Sequence, residues 1–378
     1  MALEALTTRR AAIEERLAAL AERGVEIVDP RQTYVADDVA LDRVHPGAVL
    51  HPGARLSGPR TFLGPGAEVG REGPATLVDA VLGPRARVDG GFARGAVLLE
   101  GASAGADAHL RDGTLLEEQA STAHCVGLKH TILLAFVTLG SLINFCDALM
   151  AGGSSREDHS EVGSGFIHFN FTPWGARGDK ATPSLVGDVV DGVFLDNPRI
   201  FLGGSAGMVG PRRVGYGAIT GAGQVLRRDV ADGHLIVQSV RSLDRRREPG
   251  YLDPSHPRAR VNLRYIAQLH ALIAWYREVR LARLPAAQAV TRVVYEEALA
   301  TLELCVAERA ARLTAFLRER GHGPPGLAPS RPHPCPLAFT ATGAHVPHLP
   351  WVRGLTRADR AALRAWLAAI VDDVCPPG

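Results

Sequence analysis

Two side chains stand out by their type. Of 42 cationic residues only Lys129 and Lys180 are lysines, and the other forty are arginines. An ammonium is a compact charge with rotatable donors, whereas a guanidinium is a wide planar fork, so a site shaped around one does not readily accept the other. Lysine kept at two positions in an arginine-rich chain therefore invites a binding role for both. Cys146 next to Asp147 has the elements of a thiol nucleophile, but no histidine adjoins them, and a small core thiol is the commoner role. His124 and His130 raise the possibility of zinc. Six residues carry a side chain to a different face in the repeat described below, so the pair need not converge and no metal is expected. "RGD" at 177–179 lies in a polar loop, and "DRRREPG" at 244–250 reads as a solvated segment.

The surrounding elements are set by a period of six. Val44, Leu50 and Leu56 are six apart, Leu63 and Val69 repeat the step, and Leu82 and Val88 do so again. Leu98, Ala104, Leu110 and Leu116 continue it, as do Leu202, Met208, Val214, Thr220 and Leu226. Such a hexapeptide repeat builds a solenoid, each unit giving one short strand and one turn, with three units to a coil. The aliphatic residue points into the prism, and Gly, Pro, Asn and Asp serve the turns. The 41 glycines and 25 prolines suit that design. The fold class is mainly β: a left-handed parallel β-helix with an N-terminal helix and an α-helical C-terminal extension. The handedness follows from the repeat type, against the usual right-handed crossover.

The expected organisation is an N-terminal helix over 1–24, the solenoid over 25–243 and the helical extension over 244–378. Long polar insertions at 150–161, 170–184 and 189–199 break the repeat, and such loops tend to gather on one binding face. In the extension, two long amphipathic helices are expected, the second starting at Pro285. A last helix near 356–374 opens at the N-cap candidate Thr356. These helices would cap the open end, pack on the flank or build an oligomer.

A net charge of +2 gives no sign of nucleic-acid or membrane-surface binding. The apolar run "TILLAFVTLGSLINF" contains Gly and Ser and is too short to span a membrane. The amphipathic N-terminus has no signal-peptide core, and the five scattered cysteines lack CxxC spacing, so a reduced cytoplasmic setting is expected.

From "GVEIVDPRQTYV" at Gly24 to "LRRDV" at Val230 the chain resembles the C-terminal acetyltransferase half of the GlmU family. These are bifunctional bacterial glucosamine-1-phosphate acetyltransferases and N-acetylglucosamine-1-phosphate uridyltransferases. The specific matches are "HLRDGTLLEE" with "VGLKH", then "VGSGFIHFNF" with the later Lys180, then "IFLGGSAGMVGP". The resemblance implies that Arg111, Lys129 and Lys180 hold a sugar phosphate and that Asn170 lines the same pocket. Phe171 stands where the family has Tyr. Ser164, Gly204 and Ala222 match acetyl-CoA positions, although coil packing also demands small residues there. Ser239 takes the aligned place of a family Arg, with Arg241 two residues on.

The family's catalytic His has no counterpart in "GSLINFCDALMAGG", where Asn144, Cys146 and Asp147 are the polar residues. Amine acetylation needs a proton acceptor, for which His159 or Asp147 is the candidate; His168 and His124 are weaker ones. The resemblance implies a homotrimer with pockets between adjacent prisms. It implies acyl-CoA-dependent N-acetyl transfer to an amino-sugar phosphate or nucleotide sugar, with acetyl-CoA as co-substrate. The alternative is a non-catalytic sugar-nucleotide-binding or scaffold protein that lost the base. No "LAAGxGTRM"-like loop precedes the solenoid in this sequence, so uridyltransferase activity is not expected.

Overall fold

The computed structural model describes residues 2–171, 182–237, 255–323, 325–339 and 345–377. Short strands, most of two to four residues, alternate with tight turns and pair in parallel with the next coil. They form a left-handed β-helix with eleven strands stacked on one face. The six-residue rule holds in space: Val44, Leu50, Leu56, Leu63, Leu202, Met208, Val214, Thr220 and Leu226 are inward and at most 2% exposed. Thr220 is the polar member of this set, and its hydroxyl oxygen accepts the Gly203 N–H at 3.0 Å.

The prism has three faces, distinguished by what points outward. The first includes Val49–Leu50, Glu68–Val69, Arg87–Val88, Ser103–Ala104, Ser121–Thr122, Thr138–Leu139 and Glu161–Val162. Its outward residues are mostly polar, as expected for a strand with one wet side. The second carries Ala108–Leu110, the start of Gly127–Leu133, the start of Asn144–Met150, and Ile167–Phe169. The third is apolar on both sides of its strands. Phe62, Val81, Val97, Leu115, Ile132, Leu149 and Leu185 form one outward column in register. All seven are at most 2% exposed.

Helices cover the first coil and the third face. Helix α1 (Ala2–Glu22) closes the first coil, where Leu17 and Leu20 join the prism core and Arg16 donates to the carbonyls of Ala36 and Val39. A single turn, α2 (Val189–Gly192), forms in the third insertion, where the Asp188 carboxylate accepts the Asp191 N–H. The extension supplies α3 (Ser255–Ala274), a π-helical continuation (Trp275–Leu281), α4 (Ala289–Arg318), α5 (His348–Arg353) and α6 (Arg357–Val374). These pack on the third face in one core with its outward column. Of the three expected placements, the flank is the one adopted. Thr356 caps α6 through the Asp359 N–H as expected. Pro285 sits in the turn before α4 rather than at its start.

A buried ionic cluster fastens the helices to the coils. Arg280, only 2% exposed, binds Glu118 at 2.5 and 3.1 Å and lies 3.1 Å from Glu117. The hydroxyls of Tyr276 and Tyr295 donate to Glu117 and Glu118 at 2.7 and 3.2 Å. Burial raises the Glu117 carboxyl above its usual range, while Arg280 opposes the shift. Two carboxylates from consecutive positions thus share one guanidinium away from water.

Candidate anion-binding cleft

The site lies at the corner between the second and third faces. The chain must turn sharply there, and the corner residues of successive coils take left-handed backbone: Gly95, Gly113, His130 and Asp147 have φ of 57, 77, 48 and 57°. Glycine does this freely, and Asp and His are among the side chains that tolerate it best. The strands running through this corner, Gly127–Leu133 and Asn144–Met150, place Lys129 and Cys146 side by side just before it. Arg111 occupies the same place one coil earlier, its N–H donating to the Leu128 carbonyl at 3.0 Å. An 18-residue separation is one coil, so Arg111 and Lys129 are neighbours about 4.8 Å apart along the stack.

Arg111, Lys129, His130, Asn144, Cys146, Asp147 and Asn170 line a polar cleft of about 240 Å³. The opposite wall comes from α4, which contributes Glu308, Arg309 and Arg312. Arg309 is 3% exposed and pairs with Asp147 at 3.1 Å. Asn170 donates to the other carboxylate oxygen of Asp147 at 2.8 Å. Glu308 bridges Arg309 and Arg312 at 3.7 and 2.9 Å. Burial alone would raise the Glu308 carboxyl, but Arg312 and Arg309 hold it below the usual range.

Cys146 sits at the floor, its thiol donating to the Asn144 side-chain oxygen Oδ1 at 3.1 Å and accepting from Arg111 at 3.4 Å. Burial raises its thiol, which does not favour a thiolate nucleophile. His130, 7% exposed, is held toward the neutral form by burial despite the nearby Asp147. The Lys129 ammonium makes no ion pair or hydrogen bond among the described residues. Four cations face two carboxylates, so the cleft suits an anion.

Five residues expected at the site therefore converge here: Arg111, Lys129, Asn144, Asp147 and Asn170. Lys180 and Arg241 lie outside the described residues. His159 stands at a different corner, between the third and first faces, with its Nδ1 2.7 Å from the Arg156 carbonyl and its Nε2 3.6 Å from Glu161. His168 is buried inside the prism, with Nδ1 against the Cys146 carbonyl and Nε2 2.8 Å from the Ser184 hydroxyl. His124, bonded to Ser141 at 3.1 Å, lies at the corner between the first and second faces, apart from His130.

Ser164, Gly204 and Ala222 stack along that corner too. The Gly223 N–H donates to the Gly204 carbonyl at 2.9 Å. A Cβ on the neighbouring Gly203 would stand 2.4 Å from the Gly221 oxygen, so coil spacing alone requires glycine there. His130 and the α4 residues Glu308, Arg309 and Arg312 are the cleft residues not anticipated for it. The buried stripe of α4 runs Ala298, Leu302, Cys305, Arg309, Leu313 and Phe316. An arginine in an apolar stripe signals a buried anionic partner, and this one pairs with Asp147.

Coils and cleft together define a hexapeptide-repeat solenoid protein with a polar, cation-rich cleft at one corner. Its likeness is to the GlmU family. The chain is 32% identical to the bifunctional protein GlmU of Nocardia farcinica over 232 residues, which is 60% of this chain and 41% of the relative. It is 34% identical to the GlmU protein of Thermus thermophilus over 220 residues, 58% of this chain and 43% of the relative. The GlmU protein of Pelobacter propionicus is 28% identical over 223 residues. The chain spans about two fifths of the length of the curated relatives it matches. No protein-family model matches it.

Proposed function

We propose that the chain is an acyl-CoA-dependent N-acetyltransferase acting on an amino-sugar phosphate or nucleotide sugar. The observation that carries this reading is the convergence of Arg111, Lys129 and Asn170, from three separate coils, on one polar cleft. In this scheme Arg111 and Lys129, with Lys180, bind the phosphate and Asn170 orients the sugar. Acetyl-CoA is the co-substrate, held along the corner of Ser164, Gly204 and Ala222 with help from Arg241. The second face lies between that corner and the cleft, about 10 Å of strand at 3.3 Å per residue. The thioester is carried across that face to the amine. The amine nitrogen attacks the thioester carbonyl, its proton passes to an acceptor, the C–S bond breaks, and that proton is relayed to the departing sulfur so that CoA leaves as the thiol. Asp147 and the neutral His130 are the acceptors lining the cleft, with Asn144 positioning the amine. His159 would serve only from a neighbouring chain.

A homotrimer is part of this proposal. Phe201, Ile219 and Leu235 form an outward apolar column in register on the first face, and all three are exposed, which supports assembly there. A cytoplasmic setting accords with five cysteines that are all free thiols, and no helix among the described residues is long and apolar enough to cross a membrane.

The second reading, a non-catalytic sugar-nucleotide-binding protein, is favoured by one observation: Asp147 is already tied to Arg309 and Asn170. Release of CoA thiol from acetyl-CoA, followed with glucosamine 1-phosphate as acceptor, decides between the two. Acceptor-dependent release that is lost in Lys129→Ala supports transfer. Tight binding of the sugar phosphate with no thiol release refutes transfer and leaves the binding protein.

A further inference from the structure

We propose that the C-terminal extension completes the cleft within the same chain, with Arg312 of α4 contacting a phosphoryl group that carries two negative charges. This rests on the reading of the cleft as a phosphate site. Helix α4 lies beyond Val230, where the GlmU-like stretch ends, yet it forms one wall of the cleft. Its position is fixed: Arg309 is buried against Asp147 at 3.1 Å, and the Cys305 thiol donates to the Gly113 carbonyl at 3.3 Å. Both contacts fall on the corner that carries the site, so α4 and the coils hold one geometry.

The donors left over point to an acceptor supplied from outside. Arg312 uses its Nε for Glu308 at 2.9 Å, and its terminal nitrogens make no hydrogen bond among the described residues. Arg111 Nε is buried with no partner, and its Nη2 reaches only the Cys146 sulfur, a weak acceptor. Lys129 adds an ammonium with no counter-ion among the described residues. Among the described residues of the cleft, Arg111, Lys129, Arg309 and Arg312 outnumber Asp147 and Glu308 by two charges, with His130 held toward neutrality and Lys180 not counted. Two surplus charges match a phosphate monoester dianion or the diphosphate of a nucleotide sugar. Among the described residues, one chain then supplies both walls of the cleft.

Isothermal titration of the full-length protein with glucosamine 1-phosphate, UDP-N-acetylglucosamine and inorganic phosphate tests this. Arg312→Ala should weaken the probe that binds by about tenfold or more, the scale of one charge-assisted hydrogen bond. The melting temperature should hold, because Arg312 is 45% exposed and carries no core contact. Arg312→Lys should restore part of the loss. Preference for the monophosphate or for the diphosphate identifies which source of phosphoryl the cleft takes. If Lys129→Ala weakens binding while Arg312→Ala binds as wild type, the role of α4 is overturned and the cleft stands. If neither variant weakens binding, or no probe binds the wild type, the phosphate reading itself fails.

Discussion

Lys129 carries the sharpest expectation at the scale of single residues. Its ammonium shares the cleft with Arg111 and has no counter-ion among the described residues. Lys129→Ala should weaken binding of glucosamine 1-phosphate by about tenfold to a hundredfold. Lys129→Arg should fall between, since a planar fork keeps the charge but not the fit. Calorimetry reads both, and equal affinities across all three proteins would remove Lys129 from the site. A pH effect follows from the buried histidines. Burial lowers the proton affinity of His168, although the Cys146 carbonyl opposes it; His130 and His348 are also lowered, chiefly by burial. Each takes a proton more readily when unfolded, so their contribution is complete above the ordinary value of 6.5 and falls away as pH drops below it. The melting temperature should fall between about pH 7.5 and 5.5, and His168→Gln should flatten the slope. A flat wild-type profile would contradict this. Residue types alone exposed Lys129, but not Arg309, because its meaning needs the coil that α4 covers.

Most of the element-scale architecture was legible in the sequence, because the six-residue period fixes which side chains enter the prism. The covered face was not read from the sequence, which left three placements for the helices open, although pairs such as Val81–Leu82, Val97–Leu98 and Leu115–Leu116, apolar at both residues, carry its signal. A strand wet on one side would alternate, as Glu68–Val69 and Arg87–Val88 do. The start of α4 was not legible either, since Pro285 is also compatible with a turn. The ionic cluster at Arg280 has a direct consequence for these elements. Arg280→Met leaves Glu117 and Glu118 buried with only tyrosine hydroxyls and a backbone N–H, and should cost about 3–5 kcal/mol in urea unfolding. Glu117→Gln and Glu118→Gln added to it should recover much of that loss. A single mutant as stable as wild type would show that the cluster does not fasten the helices. Leu115→Ala, in the column beneath α4, should cost about 2–5 kcal/mol by the same measurement.

The whole molecule joins a solenoid to a helical extension that covers its third face. The proposed trimer would then assemble through the first face, where Phe201, Ile219 and Leu235 are exposed. Ile219→Glu with Leu235→Glu should dissociate a trimer formed there, as read by light scattering on the eluting protein. An unchanged mass would place the assembly elsewhere. Within one chain the corner proposed for acetyl-CoA and the cleft proposed for phosphate flank the same second face, a layout that sequence spacing could not reveal, because it depends on which corner each residue reaches. A crystal structure with glucosamine 1-phosphate tests the central claim most directly. The phosphate should lie within about 3 Å of Arg111 and Lys129 and reach Arg312, with the sugar toward Asn170. A sugar phosphate bound at another corner, with the cleft holding only water, would contradict it.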